Sequence, residues 1–299
     1  MRLVFLGSPA DALPSLQALH DAGHDIALVV TQPDRRRGRG GGTEPSPVKR
    51  LATDLGLRVV TPGRCIEALD DIAGSGATLG VVVAFGQLIP PAVLDALPQG
   101  YVNVHFSLLP RWRGAAPVER AMMAGDTETG VCIMQLEAGL DTGPVYFLER
   151  VAIDPEETAG ELKARLVRIG TDLLVSRLED IGKTEPTPQE GEPTYAAKLT
   201  TEEFQLDLGA PAADLARLVR AGNPKPGAWT TAGGRRLKVL RARAQAGTAE
   251  PATPGELVAP ATVAAGDGLL VLDEVQPETK GVMTGAAWAA GFRGQRLGD

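Results

Sequence analysis

Residues 1–31 of the chain read MRLVFLGSPADALPSLQALHDAGHDIALVVT. The apolar run Arg2–Leu6 predicts a short strand, and Ala10–Ala22 has the spacing of a helix for which Gly23 is a plausible end. A second apolar run, Ile26–Thr31, follows that helix. A strand, a helix and a second strand in this order are typical of α/β domains with a parallel sheet.

The following residues repeat this alternation. Pro47–Leu55 has a helical pattern with Ser46 as a possible N-cap, and Arg58–Thr61 and Leu79–Ala84 read as strands. Continuous apolar runs suit strands that are buried on both faces, so we predict a doubly wound, mostly parallel sheet. Ligands of such sheets bind outside the carboxyl ends of the strands. The turns expected to border a site there are Gly7–Pro9, Thr31–Asp34 and Phe85–Gly86.

The rest of the chain predicts a second, smaller domain. The pattern after Asn103 is less regular up to about Pro144, and a helix is then expected over Thr158–Leu178. Residues 183–194 are polar and contain three prolines, which indicates an extended linker. A helix over Ala212–Ala221 and short segments of β character come next. These segments, Leu237–Leu240, Gly255–Val258 and Gly268–Leu272, predict a small β-barrel or sandwich. The predicted boundaries are a catalytic domain at 1–182, a linker at 183–204 and a C-terminal domain at 205–299.

The composition excludes several classes of protein. Of the 299 residues, 43% are hydrophobic and 22% are charged, which argues against a disordered chain. The net charge of −7 argues against a uniformly basic nucleic-acid binder. Two cysteines cannot frame a disulfide scaffold and suit a reducing cytoplasm. No signal peptide or membrane span is evident, and the three histidines make a histidine metal site unexpected.

The basic residues are unevenly distributed. Residues 209–299 carry 11 Lys and Arg against eight Asp and Glu, although the whole chain is acidic. Five of these cations lie close together, namely Arg235, Arg236, Lys238, Arg241 and Arg243. They could be the solvated edge of a sheet, where charges discourage pairing with other sheets, or a surface that faces phosphate.

Residues 101–105, YVNVH, carry the first candidate catalytic groups. In a strand, Asn103 and His105 point to the same face. The Asn103 amide could donate to a developing oxyanion, and His105 could move a proton near neutral pH. Downstream, Asp141 lies in a glycine-rich turn where its carboxylate could orient His105 or hold a water molecule. Taken alone, each of these short motifs is more often structural.

In combination and in this order, the motifs are specific. The chain resembles methionyl-tRNA formyltransferases over essentially its whole length. The matching segments are LVFLGSP, TQPD with PSPVK, VVVAFGQLIP, NVHFSLLPRWRGAAPVERA, GDTETGVCIMQLEAGLDTGPVY, YAAKL and NPKPGAW. The pairing of Asn-x-His with a later Asp-x-Gly is shared by a wider group of enzymes that use 10-formyltetrahydrofolate.

This resemblance implies a reaction and a site. The reaction is formyl transfer from 10-formyltetrahydrofolate to the α-amino group of methionyl initiator tRNA. It implies that Asn103, His105 and Asp141 are catalytic. The folate-binding segment it implies is Ser107, Leu108, Leu109 and Pro110. The implied fold is a Rossmann-like formyltransferase domain followed by a smaller OB-like β-barrel domain.

The resemblance also implies a contact with tRNA. The segment between Pro33 and Pro45, DRRRGRGGGTE, is either a flexible solvated loop or a basic loop that orders on RNA. The family places a loop here at the end of the acceptor stem, and Arg39 matches its key arginine. The other candidates are Arg35, Arg36 and Arg37 in this loop and Arg235, Arg236 and Lys238 in the second domain. Arg111 and Arg113 could either hold the core together through salt bridges or face the 3′ end of the substrate.

Rival functions lack part of this pattern. A nicotinamide-dependent dehydrogenase needs a glycine-rich G-x-G-x-x-G turn, whereas Gly7 is the only glycine after the first strand. A 10-formyltetrahydrofolate-dependent sugar-amine formyltransferase would use the same trio without the arginine loop. A folate-dependent hydrolase and an inactive RNA-binding protein are further alternatives. We expect a cytoplasmic monomer that uses no metal and binds neither DNA nor membranes.

Overall fold

The structure of the chain is a computed structural model that describes residues 1–36, 42–247 and 252–298, with the backbone alone at Arg35 and Arg36. Its strands are β1 (Arg2–Gly7), β2 (Asp25–Val30), β3 (Arg35–Arg36), β4 (Thr43–Glu44), β5 (Val59–Val60), β6 (Leu79–Val83), β7 (Tyr101–His105), β8 (Arg113–Gly114), β9 (Glu128–Gln135), β10 (Val145–Ala152), β11 (Tyr195–Ala196), β12 (Ala228–Ala232), β13 (Arg235–Gln245), β14 (Leu257–Ala259), β15 (Thr262–Ala264), β16 (Leu269–Pro277) and β17 (Met283–Thr284). Its α-helices are α1 (Leu13–Asp21), α2 (Pro47–Asp54), α3 (Leu69–Ala73), α4 (Pro91–Leu94), α5 (Pro117–Ala124), α6 (Ala159–Arg177), α7 (Ala212–Gly222) and α8 (Gly285–Gly291). Short 3-10 turns occur at Ala10–Ala12, Cys65–Ala68, Leu178–Asp180 and Glu202–Phe204.

The chain divides into two compact units that alternate along the sequence. The first unit comprises Met1–Gly114, Glu128–Ala152 and Lys163–Tyr195. The second comprises Ala115–Thr127, Ile153–Leu162 and Ala196–Asp299. Residues 183–195 of the predicted linker therefore lie within the first unit. The domain boundaries at 182 and 204 stay predictions.

The first unit is built on a seven-stranded sheet in the order β10-β9-β7-β6-β1-β2-β5. Strands β5, β2, β1, β6 and β7 are parallel to one another. Strand β9 runs antiparallel to β7, and β10 runs antiparallel to β9. The predicted mostly parallel sheet is confirmed, with an antiparallel hairpin at one edge.

Burial explains why the central strands are apolar along their whole length. Every residue of β6 is buried, and so is every residue of β1 after Arg2. Val4, Leu28, Val82 and Tyr101 belong to one buried cluster beside this sheet. The sheet is covered on both faces, as the continuous apolar runs predicted.

Helix α2 begins where the sequence predicted. The Ser46 side chain accepts a hydrogen bond from the backbone N–H of Lys49 at 3.0 Å, and Pro47 occupies the first turn. An N-cap hydroxyl and a proline in the first turn satisfy or remove backbone donors that the helix leaves unpaired. The predicted N-cap is thereby confirmed.

The region between Asn103 and Pro144 is more regular than the sequence predicted. It contains α5 and the long strand β9, and β10 begins directly after Pro144. Helix α5 starts at a proline and ends at Gly125, which has a left-handed φ of 79°. Residues 129–134 of β9 are buried without interruption, so this strand lacks the alternation that marks a half-exposed strand.

The second unit contains an antiparallel sheet of six strands, and the predicted small β domain is confirmed. The strand order is β12-β13-β16-β15-β14, with β17 also paired to β16. Strand β13, which carries the basic cluster, lies between β12 and β16. The interpretation as a sheet edge is wrong for Lys238, which has a paired strand on each side, whereas Arg241 and Arg243 lie beyond the end of β12 and pair with β16 alone.

None of the described helices is both long enough and apolar enough to cross a membrane.

Candidate active site

The centre of the sheet carries the first two predicted catalytic residues. Strand β7 lies between β6 and β9 and covers the predicted range from Tyr101 to His105. Asn103 pairs in register with Val82 on one side, and His105 pairs with Cys132 on the other. Because side chains two residues apart share a face of a strand, the amide and the imidazole lie on the same side of the sheet.

The imidazole of His105 is held by a backbone carbonyl. Its Nε2 atom lies 3.0 Å from the carbonyl oxygen of Trp112, and His105 is 5% exposed. A carbonyl oxygen only accepts, so the Nε2 position carries the proton of this hydrogen bond. The ring is therefore oriented by Trp112, a role that the sequence interpretation gave to Asp141.

The carboxylate of Asp141 faces the other nitrogen of the ring. Its Oδ2 atom lies 3.7 Å from Nδ1 of His105, and the two side chains are 12% and 6% exposed. The same Oδ2 accepts a hydrogen bond of 2.8 Å from the backbone N–H of Gly114. In the neutral ring Nδ1 has a free lone pair, and a proton bound there would form an ion pair with Asp141.

Asn103 supplies a hydrogen-bond donor on the same face. The residue is half-buried. Within the described ranges, its carboxamide makes no hydrogen bond to another side chain or to the backbone. The N–H group is thus available to a bound molecule, which is the condition for an oxyanion donor.

Hydrogen bonds hold the start of the segment that follows β7. Ser107 is fully buried, and its hydroxyl donates to the carbonyl of Arg111 at 2.7 Å. The thiol of Cys132 donates to the carbonyl of Ser107 at 3.1 Å, and burial raises the pKa of this thiol to about 11. Leu108 packs so closely on β9 that a Cβ at Gly130 would collide with it. The half-buried Leu108, Leu109 and Pro110 are therefore the members of this segment that a ligand could reach.

A cleft opens at the carboxyl ends of β6, β1 and β2. Its volume is about 470 Å³. The Gln32 carboxamide and the Ser8 hydroxyl both donate to the carbonyl of Phe85, at 2.9 Å and 3.2 Å. The lining residues are Ser8, Pro9, Gln32, Pro33, Glu44, Pro45, Ser46, Pro47, Ala84, Phe85 and Gly86. All three turns that the sequence predicted to border a site contribute to this lining.

Comparisons with known proteins identify the family. The family profile described as "Formyl transferase" matches residues 1–178, and that described as "Formyl transferase, C-terminal domain" matches residues 198–293. A methionyl-tRNA formyltransferase of Roseobacter denitrificans is 49% identical over 97% of this chain and 96% of its own length. One of Jannaschia sp. is 46% identical over 98% and 97%, and one of Thermus thermophilus is 46% identical over the whole of both chains.

The chain belongs to the methionyl-tRNA formyltransferase family.

Solved structures at lower identity share the fold of this formyltransferase. Methionyl-tRNA formyltransferase from Clostridium thermocellum has a TM-score of 0.61 at 16% identity and covers 82% of this chain and 94% of its own. WlaRD, a sugar 3N-formyl transferase, has a TM-score of 0.67 at 16% identity, with 94% and 98% covered. At these identities the likeness concerns the fold alone.

The arginine loop of this formyltransferase lies partly outside the described residues. Arg35 and Arg36 form β3, which pairs with β4 through Arg35 opposite Glu44 and Arg36 opposite Thr43. Arg37 and Arg39 fall outside the residues that the structure describes. Their part in tRNA binding stays a prediction.

The basic cluster on β13 contains two kinds of residue. Arg241 pairs with Glu161 and Glu274, and Arg243 pairs with Asp273 at 3.4 Å. By contrast, Arg235, Arg236 and Lys238 make no ion pair with any described residue. The Arg236 guanidinium lies 3.8 Å from the ring centre of Trp229, which pairs in register with Lys238. The three candidates for tRNA binding are thus the uncompensated charges of the cluster.

Two residues near the candidate catalytic groups were not found by sequence reasoning. Trp112 acts through its carbonyl, so its side chain gives no signal of this role. Gln189 lies in the polar segment predicted as linker, yet its carboxamide bonds to Arg113 and to the carbonyls of Asp141 and Gly143. Arg113 therefore makes hydrogen bonds within the protein to a neutral carboxamide, and its two predicted roles, a salt bridge in the core or a contact with the substrate, stay predictions.

Proposed function

We propose that this enzyme transfers the formyl group of 10-formyltetrahydrofolate to the α-amino group of methionyl initiator tRNA. The observation that carries the proposal is the identity of 46–49% to methionyl-tRNA formyltransferases over nearly the whole of both chains. Asn103 and His105 share one face of β7, and the Asp141 carboxylate faces His105 from the turn between β9 and β10, which supports this chemistry. The formyl donor is a co-substrate that binds and leaves in each turnover.

Asn103 serves as the oxyanion donor. The neutral amine attacks the formyl carbon, and the formyl oxygen gains negative charge as the new C–N bond forms. The free amide N–H of Asn103 donates to that oxygen. A donor already held by β7 needs no reorganisation when the charge develops.

His105 and Asp141 move the proton of the attacking amine. The Nε2 position is occupied by the bond to Trp112, so Nδ1 is the nitrogen that accepts the proton. Asp141 stabilises the imidazolium from 3.7 Å. The proton then passes to N10 of the folate as the bond between N10 and the formyl carbon breaks, which balances the reaction.

The two substrates meet at the carboxyl ends of the strands. We assign the formyl donor to the segment Ser107, Leu108, Leu109 and Pro110, since it directly follows His105 and contributes apolar side chains. The tRNA is assigned to the basic residues, namely Arg35, Arg36, Arg37 and Arg39 in the loop and Arg235, Arg236 and Lys238 on β13. The enzyme is further proposed to act as a cytoplasmic monomer that does not bind DNA.

The test is an assay of purified protein with radiolabelled methionyl initiator tRNA and 10-formyltetrahydrofolate. We expect formylmethionyl-tRNA to form and tetrahydrofolate to be released in equal amounts. A nucleotide-linked amino sugar replaces the tRNA in a parallel reaction, and a third reaction contains water alone. Formylation of the sugar, or hydrolysis without tRNA, at a higher kcat/KM would contradict the proposal.

A further inference from the structure

Gln189 uses its whole hydrogen-bonding capacity within the first unit. Its Oε1 accepts from Nε and Nη2 of Arg113, at 3.1 Å and 2.7 Å. Its Nε2 donates to the carbonyl oxygens of Asp141 and Gly143, at 2.8 Å and 2.7 Å. A carboxamide has two N–H donors and one oxygen that accepts two hydrogen bonds, and all four are made here. Such complete pairing indicates that the position and orientation of this carboxamide are specified by its partners.

The carbonyls that Gln189 binds belong to the turn that presents the catalytic carboxylate. Asp141 has a φ of 50°, in the left-handed region that residues with a side chain rarely adopt. A residue in this conformation persists where the surrounding structure holds it. By binding the carbonyls of Asp141 and Gly143, one side chain fixes the planes of the Asp141–Thr142 and Gly143–Pro144 peptide bonds.

A closed circuit of hydrogen bonds links this turn to strand β8. Arg113 binds the Gln189 oxygen, and the next residue, Gly114, donates its N–H to Oδ2 of Asp141 at 2.8 Å. Gln189 completes the circuit through the Asp141 carbonyl. Both the backbone and the carboxylate of Asp141 are thereby held, and the carboxylate stays 3.7 Å from Nδ1 of His105.

We propose that Gln189 is a positioning residue for formyl transfer, which holds Asp141 in its left-handed conformation so that its carboxylate faces His105. The inference rests on the proposed function for the identity of the reaction. The hydrogen-bond circuit itself belongs to the free protein. Gln189 acts through Asp141 and touches neither substrate.

The first experiment compares Gln189→Glu with the neighbouring variant Glu190→Gln. A glutamate at 189 still offers an oxygen to Arg113 but has neither N–H donor. Its negative carboxylate would then face the carbonyl oxygens of Asp141 and Gly143 and repel them. Glu190 is exposed and serves as the matched control. We expect Gln189→Glu to lower kcat by roughly tenfold to a hundredfold, with KM for both substrates changed less than about twofold. Glu190→Gln should keep the wild-type kcat.

The second experiment combines Gln189→Glu with Asp141→Asn. If Gln189 acts only by positioning the Asp141 carboxylate, Gln189→Glu has little further effect once Asp141→Asn has removed that carboxylate. The kcat of the double variant should then stay within about twofold of Asp141→Asn alone. Losses that multiply would show an independent structural effect and would overturn the proposal.

A third measurement does not depend on activity. Amide hydrogen exchange of residues 136–144 should be faster in Gln189→Glu than in wild type or Glu190→Gln, because the turn is released. If the wild type does not formylate methionyl-tRNA, the proposed function is wrong. Amide hydrogen exchange still tests whether Gln189 holds the turn at Asp141, because this measurement does not depend on the reaction. If Gln189→Glu does not fold, Gln189→Ala, which removes all four bonds without adding charge, takes the same measurements. Wild-type exchange in the folded variant, or wild-type kcat, would refute the positioning role.

Discussion

The Nε2 atom of His105 and the carbonyl oxygen of Trp112 are 3.0 Å apart, and this bond decides which ring nitrogen can do chemistry. Trp112 lies two residues after the Ser107–Pro110 segment and has a left-handed φ of 64°. Its own N–H donates to the Thr194 hydroxyl at 2.9 Å. The turn that follows the segment assigned to the formyl donor therefore sets the proton position on the imidazole and leaves Nδ1 facing Asp141.

Asp141→Asn should remove the negative charge of the side chain while keeping its size. The amide oxygen can still accept from Gly114, but the charge that stabilises an imidazolium is lost. We expect kcat to fall by roughly 10²-fold to 10⁴-fold, the usual contribution of general acid–base groups, with KM for the formyl donor changed little. Steady-state kinetics of Asp141→Asn, with the exposed Asp54→Asn as the control, measures this. Equal kcat values in the two variants would remove Asp141 from the mechanism.

Removing the Asn103 amide should affect the transition state more than binding. One oxyanion donor contributes about 2.7–4 kcal/mol, so Asn103→Ala is expected to lower kcat by roughly 10²-fold to 10³-fold. The Kd for a folate analogue, measured by calorimetry, should stay near the wild-type value. A variant that turns over at the wild-type rate would show that another group supplies the donor.

Cys132 should make stability fall at alkaline pH. Burial raises the pKa of its thiol from 9.0 to about 11, so above pH 9 the unfolded chain ionises while the folded chain does not. The stabilisation is complete below pH 9 and is lost as the pH rises to about 11. Two pKa units correspond to about 2.7 kcal/mol.

Cys132→Ser tests this dependence, since a hydroxyl can still donate to the Ser107 carbonyl but does not ionise in this range. Between pH 8 and pH 11, the free energy of unfolding in urea should drop by about 2–3 kcal/mol more in wild type than in the serine variant. Parallel curves for the two proteins would contradict this account.

The sequence predicts the parts of the fold that depend on local pattern. Strand β7 has the predicted ends, and helix α2 has the predicted cap at Ser46, because burial periodicity and capping chemistry act within a few residues. Asn103 and His105 share one strand, so their common face follows from the period of two.

The remaining features depend on contacts between distant segments. Whether β13 is an edge depends on its pairing with β16, which begins more than 20 residues further along the chain. The bond from Gln189 to the Asp141 carbonyl joins residues 48 positions apart. Every residue has a backbone carbonyl, so the side-chain sequence cannot predict that the carbonyl of Trp112 binds His105. The polar composition of residues 183–194 is typical both of a linker and of a segment that makes polar contacts, so it could not predict the hydrogen bonds of Gln189.

Arg39→Ala should impair tRNA use and leave folate use intact. An arginine in the 34–44 loop would contact phosphate or base edges, and each lost phosphate contact lowers the slope of log KM against log salt by about one. KM for methionyl-tRNA should rise, with KM for the formyl donor unchanged. Arg64→Ala removes an arginine whose side chain is 80% exposed and serves as the control. Unaltered kinetics with methionyl-tRNA would refute the role of Arg39.

The β13 cluster offers a test within one strand. Arg236 and Lys238 carry uncompensated charge, whereas Arg243 is paired with Asp273 at 3.4 Å. The double variant Arg236→Ala/Lys238→Ala should raise KM for methionyl-tRNA roughly tenfold at low salt, with kcat at saturating tRNA preserved, because phosphate contacts strengthen binding without touching the reacting atoms. The double variant Arg241→Ala/Arg243→Ala removes the same amount of charge but should change KM far less, since both of its arginines are paired with carboxylates. If the two double variants raise KM equally, net charge alone governs tRNA binding, and a specific surface on β13 is excluded.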